Sequence, residues 1–125
     1  MYFLKVISHF DSAHYLRQYS GKCSNIHGHT WKIEVTVKGS KLNHQGLLID
    51  FGDLKTLLAK VTDQFDHKLI NNVDGFTDDE LNPTAENLAY YIYNKFQVAL
   101  PEHVAVHQVE VWESEKSCAI YSEER

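Results

Sequence analysis

From Tyr2 to His14 the side chains alternate, with Val6, Ser8, Phe10, Ser12 and His14 on one face and Ile7, His9, Asp11 and Ala13 on the other, the two-residue period of a strand. Residues 15 to 28 break this pattern with Ser20, Gly21, Ser24, Asn25 and Gly28, a long polar connection of the kind that often carries function. A second strand is predicted from about His29 to Lys38, where Ile33, Val35 and Val37 alternate with Lys32, Glu34 and Thr36, giving one apolar and one polar face. The period then changes. Asp50 is placed to cap a helix, and Leu54, Leu57, Leu58, Val61 and Phe65 recur at helical intervals. Thr84, after Pro83, caps a second helix with Glu86 in its first turn and an apolar stripe of Leu88, Ile92, Phe96 and Ala99, ending before Pro101. Val104 to Trp112 and Cys118 to Tyr121, on either side of the polar turn Glu113 to Ser117, predict a terminal hairpin with Cys118 in the core. The order strand, strand, helix, helix, strand, strand makes an α+β domain.

Composition narrows the class. With 125 residues and no linker-like break, the chain is expected to be a single domain over residues 1–125. A net charge of −5 with interspersed basic residues offers no footprint for a phosphate backbone, which argues against nucleic acid as a partner. The start lacks the basic and apolar regions of a leader, and no apolar run approaches spanning length, so a cytoplasmic protein without a membrane partner is expected. Two cysteines, Cys23 and Cys118, do not suggest a disulfide framework.

The spacing of the histidines points to chemistry. His27 and His29 are two positions apart and project to one side of an extended chain. His14 ends the first strand, so an antiparallel hairpin returns it to their side. His-Gly-His alone is equally a polar turn entering a strand. Joined by His14 and by Cys23 four positions upstream, it points to a metal. Three imidazoles with an open fourth position describe catalytic rather than structural zinc. Cys23 fits either a fourth ligand or an unligated thiol, since a cysteine beside a cation becomes a usable base, and spacing does not choose. Asp66-His67 offers a carboxylate that can orient an imidazole for proton transfer.

Phe10-Asp11-Ser12-Ala13-His14, Cys23-Ser24-Asn25-Ile26-His27-Gly28-His29, Asp66-His67-Lys68, Pro83-Thr84-Ala85-Glu86-Asn87 and Trp112-Glu113-Ser114 together resemble the 6-pyruvoyl-tetrahydropterin synthase family. The likeness spans nearly the whole chain, and three residues between the cysteine and His-Gly-His match the bacterial 6-carboxytetrahydropterin synthases of queuosine biosynthesis. The resemblance implies a tunnelling fold: a four-stranded antiparallel sheet with two helices on one face, three sheets closing a barrel and two trimers stacking into a homohexamer. It implies zinc on His14, His27 and His29, Cys23 as catalytic thiol, and Asp66 and His67 as a catalytic pair supplied by a neighbouring chain. Glu113 corresponds to the pterin anchor, a carboxylate able to accept two parallel hydrogen bonds from the 2-amino and ring N–H groups. Thr84 and Glu86 fall in the matching pterin-pocket segment, although capping alone accounts for Thr84. Ala85 lacks the hydroxyl of some relatives, and Lys22 is a candidate for the substrate's phosphates.

The implied reaction converts 7,8-dihydroneopterin triphosphate to 6-carboxytetrahydropterin, acetaldehyde and triphosphate. The absence of a Gly-rich dinucleotide fingerprint agrees with an internal redistribution of hydrogens. The alternatives are formation of 6-pyruvoyl-tetrahydropterin, side-chain cleavage toward a folate precursor, and a non-catalytic zinc- or pterin-binding module.

Overall fold

A computed structural model describes residues 1–123. Four strands, β1 (Tyr2–His14), β2 (His27–Gly39), β3 (Ala105–Ser114) and β4 (Ser117–Tyr121), form one antiparallel sheet in the order β1-β2-β3-β4. Helices α1 (Phe51–Thr62) and α2 (Ala85–Ala99) intervene between β2 and β3, giving the ββααββ order expected from the sequence. α1 packs on β1 and α2 on β3 and β4.

Local chemistry explains the helix starts. The Asp50 carboxylate accepts a hydrogen bond from Gly52 N–H at 2.6 Å, and the Thr84 hydroxyl accepts one from Asn87 N–H at 3.0 Å. The apolar stripes then meet the sheet. Leu54 and Leu58 of α1 and Leu88, Ile92 and Phe96 of α2 are buried against Ile33, Val35 and Val37 of β2 and Val109 and Val111 of β3. Phe10 stacks on Trp31 and Phe65, and Phe65 meets Phe76, so an aromatic cluster fills the end of the core beneath the β1–β2 hairpin.

Several local expectations need correction. β2 begins at His27 rather than His29, because pairing with β1 runs the full length to His14↔His27. β3 continues through Glu113 to Ser114, leaving Glu115-Lys116 as the turn. Ala99 is exposed and Tyr93 takes its place in the buried stripe of α2, while Phe65 lies beyond the end of α1. Cys118 is half-buried opposite Trp112 rather than in the core. The polar face of β2 is also covered. Glu34 and Thr36 are buried there, because β2 is a central strand whose neighbours Lys5 and Trp112 close over it.

Candidate metal and pterin site

Register brings the three histidines together. His14 pairs directly with His27, and Ser12 with His29, so all three imidazoles project from the helix-covered face at one end of the hairpin. Their ring centroids are 4.5 Å apart for His14 and His27, 5.1 Å for His14 and His29, and 4.9 Å for His27 and His29. Trp31 supports this arrangement from below, with its ring 4.9 Å from His14 and 5.1 Å from His29 and its indole N–H donating to the Ser12 carbonyl at 3.2 Å.

Hydrogen bonds choose the nitrogen that two of the rings present. A carbonyl only accepts, so His14 Nδ1, 2.7 Å from the Pro83 carbonyl, carries its proton and leaves Nε2 as a lone pair. His27 Nδ1 makes the same contact, at 2.7 Å, with the Asn25 carbonyl. The Nε2 atoms of His14 and His29 are buried without a hydrogen-bond partner. Burial, ahead of the neighbouring imidazoles, holds His14 and His29 below the usual histidine range and therefore neutral. One nitrogen from each of the three rings lies within 4.8 Å of the others. Three convergent imidazoles, with orphaned nitrogens on His14 and His29 and with carbonyls fixing the rings of His14 and His27, fit a zinc ion.

Cys23 lies on a 3-10 turn, Lys22–Ser24, as a half-buried free thiol outside the convergent group of three. Of the two readings open for it in the sequence, this placement favours the unligated thiol. Lys22 beside it is exposed.

Asp66 and His67 form a pair, with His67 Nδ1 3.0 Å from Asp66 Oδ2. The hydrogen bond to Asp66 raises the His67 imidazole above its ordinary range; the Asp11 N–H, followed by His67, holds the Asp66 carboxyl below its own. The pair is docked beside β1 through an isolated parallel bridge between Ala13 and Leu69, with Ser12 Oγ donating to the Lys68 carbonyl at 2.7 Å. His67 and His29 line one groove on this edge.

Glu113 sits at a register shift between Trp112 and Ser114, the kind of bulge that re-aims a side chain. It lines two adjoining cavities: one of about 420 Å³ with Ala85, Glu86 and Cys118, and one of about 670 Å³ with His29, Lys32 and Trp112. A carboxylate thus stands between a space large enough for a bicyclic ring and the histidine cluster. Glu86 faces the smaller cavity. Thr84 serves as the cap of α2 and does not line either cavity.

Contacts that spacing gave no sign of include the Pro83 carbonyl on His14 and the Asn71 side chain, which bonds both N–H and C=O of Tyr15. They depend on tertiary placement of distant residues. Asp11 lies in the Phe10–His14 motif, and its bonds to Asp66 and His67 likewise join residues far apart in the chain.

Comparison with known proteins agrees with the fold. The family model of 6-pyruvoyl tetrahydropterin synthase matches residues 3–124. The chain is similar to 6-carboxy-5,6,7,8-tetrahydropterin synthase of Bacillus subtilis, 38% identical over 74% of this chain and 63% of the relative, so the match leaves more than a third of that protein uncovered. It is similar to the protein of that name from Haemophilus influenzae, 30% identical over 91% of this chain and 94% of the relative. Among solved structures, Caenorhabditis elegans 6-pyruvoyl tetrahydropterin synthase superimposes with a TM-score of 0.85 at 25% identity, covering 98% of this chain and 96% of that one. The Plasmodium falciparum 6-pyruvoyl tetrahydropterin synthase shares the fold, with a TM-score of 0.76 at 22% identity over 99% and 98% of the two chains. With its sheet, histidine cluster and pocket in place, the chain belongs to the 6-pyruvoyl tetrahydropterin synthase family.

Proposed function

We propose that this protein is a zinc-dependent 6-carboxy-5,6,7,8-tetrahydropterin synthase acting on 7,8-dihydroneopterin triphosphate in the cytoplasm, in the route to queuosine. The observation that carries the reading is the set of three convergent imidazoles, two with buried and unpartnered Nε2 atoms, beside a cavity that Glu113 lines. Relatives at 30–38% identity named for this activity support the choice of product.

His14, His27 and His29 would hold the ion. When bound, zinc supplies Lewis acidity to the oxygens of the substrate side chain, which makes the adjoining C–H bonds more acidic. Glu113 anchors the pterin by accepting hydrogen bonds from its 2-amino and ring N–H groups, with Glu86 at the pocket wall. Cys23 Sγ removes a proton from the side-chain carbon. His67 donates a proton from Nε2, since its Nδ1 is engaged by Asp66. Cleavage consumes one water and releases acetaldehyde and triphosphate, leaving the carboxylate on the ring.

The assembly is a homohexamer in which β4 of one chain continues onto β1 of the next. Closure covers the strand edges that a single four-stranded sheet leaves open, and in this proposal the Asp66–His67 pair of one chain serves a neighbour's pocket. Stripping the metal with a chelator tests the function. Turnover is expected to disappear and to return on adding one zinc ion per chain; full turnover by protein free of metal would sink the reading.

A further inference from the structure

We propose that Asp11 is the positioning residue of the Asp66–His67 pair, clamping the loop with its backbone and presenting a fixed second carboxylate to the imidazole. The inference rests on the acid–base role proposed above for His67.

The clamp has two bonds. Asp11 N–H donates to Asp66 Oδ1 at 3.0 Å, and His67 N–H donates to the Asp11 carbonyl at 2.6 Å. The second bond holds His67 at φ 57°, a left-handed conformation that a histidine adopts at a cost and keeps only where neighbours fix it. One residue of an edge strand therefore sets the direction of the carboxylate and the backbone of its imidazole partner together.

The Asp11 side chain is fixed in turn. Thr30 stands directly across the hairpin, and its hydroxyl donates to Asp11 Oδ1 at 2.6 Å. An oxygen of Asp11, an oxygen of Asp66 and a ring nitrogen of His67 lie within 4.8 Å of one another. Among the described residues, the charged groups around this imidazole are Asp66 from its own loop and Asp11 from β1; Lys68, with Thr30 and His29 of β2, lines the same groove. Asp11 adds to the upward shift of His67 that Asp66 produces. Two carboxylates beside one imidazole favour the protonated ring, and a protonated His67 is a proton donor when substrate arrives. Asp11 thus biases His67 toward the acid role and leaves the base role to Cys23.

The test is the titration of His67 followed by NMR in the zinc-loaded protein, alongside the pH dependence of kcat. Asp11→Asn keeps the backbone clamp and removes the charge. The His67 midpoint is expected to move to lower pH, the alkaline limb of the kcat profile to move by the same amount, KM to stay unchanged, and Asp11→Glu to restore both. An unmoved midpoint in Asp11→Asn overturns the proposal. A second comparison is made in an Asp66→Asn background, where Asp11 is the carboxylate remaining at the ring: adding Asp11→Asn must lower the midpoint again, and no further change also overturns it. The NMR midpoint is read without turnover. A midpoint that moves in a protein that makes no pterin product would therefore keep the Asp11 assignment while refuting the proposed activity.

Discussion

At the residue scale, the proposed mechanism separates groups that would hold a metal from groups that would move protons, and substitutions should separate the two. Cys23→Ala is expected to keep stoichiometric zinc and lose turnover, because Cys23 stands outside the imidazole cluster; loss of zinc, measured by metal analysis, would make Cys23 a ligand. His14→Ala should lose zinc and also destabilise the metal-free fold by about 1–3 kcal/mol, the cost of leaving the buried Pro83 carbonyl without its donor. His27→Ala should lose zinc with a smaller effect in chemical denaturation, since His27 is half-buried and bonds a neighbouring carbonyl. Acid should act through the buried rings of His14 and His29. Their folded values lie below the unfolded one, so the unfolded chain binds more protons below about pH 6.5 and the fold loses stability as pH falls through the lowered values. Exposed His67 acts in the opposite sense, its contribution being present at low pH and lost as pH rises through its raised value. The thermal midpoint of metal-free protein should therefore fall on acidification, and fall less in His14→Gln; equal falls would contradict the burial argument. The convergence of His14, His27 and His29 was legible in the sequence because a strand has a fixed period of two. The choice of Nε2 was not, since it depends on a carbonyl contributed by Pro83, far along the chain.

At the scale of elements, helix positions followed directly from the polar residue preceding each apolar stripe, and both caps form the expected bonds. Strand limits were less legible. Hydrophobic alternation stops short of His27 because the first residues of β2 are histidine and glycine, which carry no apolar signal although they pair fully. The burial of Glu34 was hidden for a related reason: alternation reports side-chain type, while burial on this face comes from Trp112 N–H donating to Glu34 at 2.7 Å and from Lys5 reaching both Glu34 and Glu110. The Thr84 cap gives a prediction at this scale. Thr84→Ala should lower stability by about 1 kcal/mol in urea denaturation, the usual worth of an N-cap, with KM for the pterin little changed. A large rise in KM at unchanged stability would instead give Thr84 a direct role in binding.

At the scale of the whole molecule, the free edge of β1 is covered only in part. Segment 66–69 bonds to Asp11 and Ala13, and among the described residues no further strand pairs with the earlier part of β1 or with the outer edge of β4. Ile7 and Ile120 are exposed on these two strands. Sedimentation should report six copies of the 14.4 kDa chain, and Ile120→Lys should shift the mass downward and reduce turnover by placing a charge at the closing edge. A fully active monomer would contradict the shared-site account. α+β architecture was readable from the order of periods along the chain. Closure was not, because a strand edge has the same sequence whether it meets water or a second copy, and only the resemblance implied it.

The central claim concerns product. Zinc-loaded protein incubated with 7,8-dihydroneopterin triphosphate, with products followed by mass spectrometry, tests it most directly. The account predicts 6-carboxytetrahydropterin together with an equal amount of acetaldehyde. A 6-pyruvoyl product without acetaldehyde would contradict the assigned reaction while keeping the site, and no turnover by a metal-replete hexamer would contradict catalysis itself.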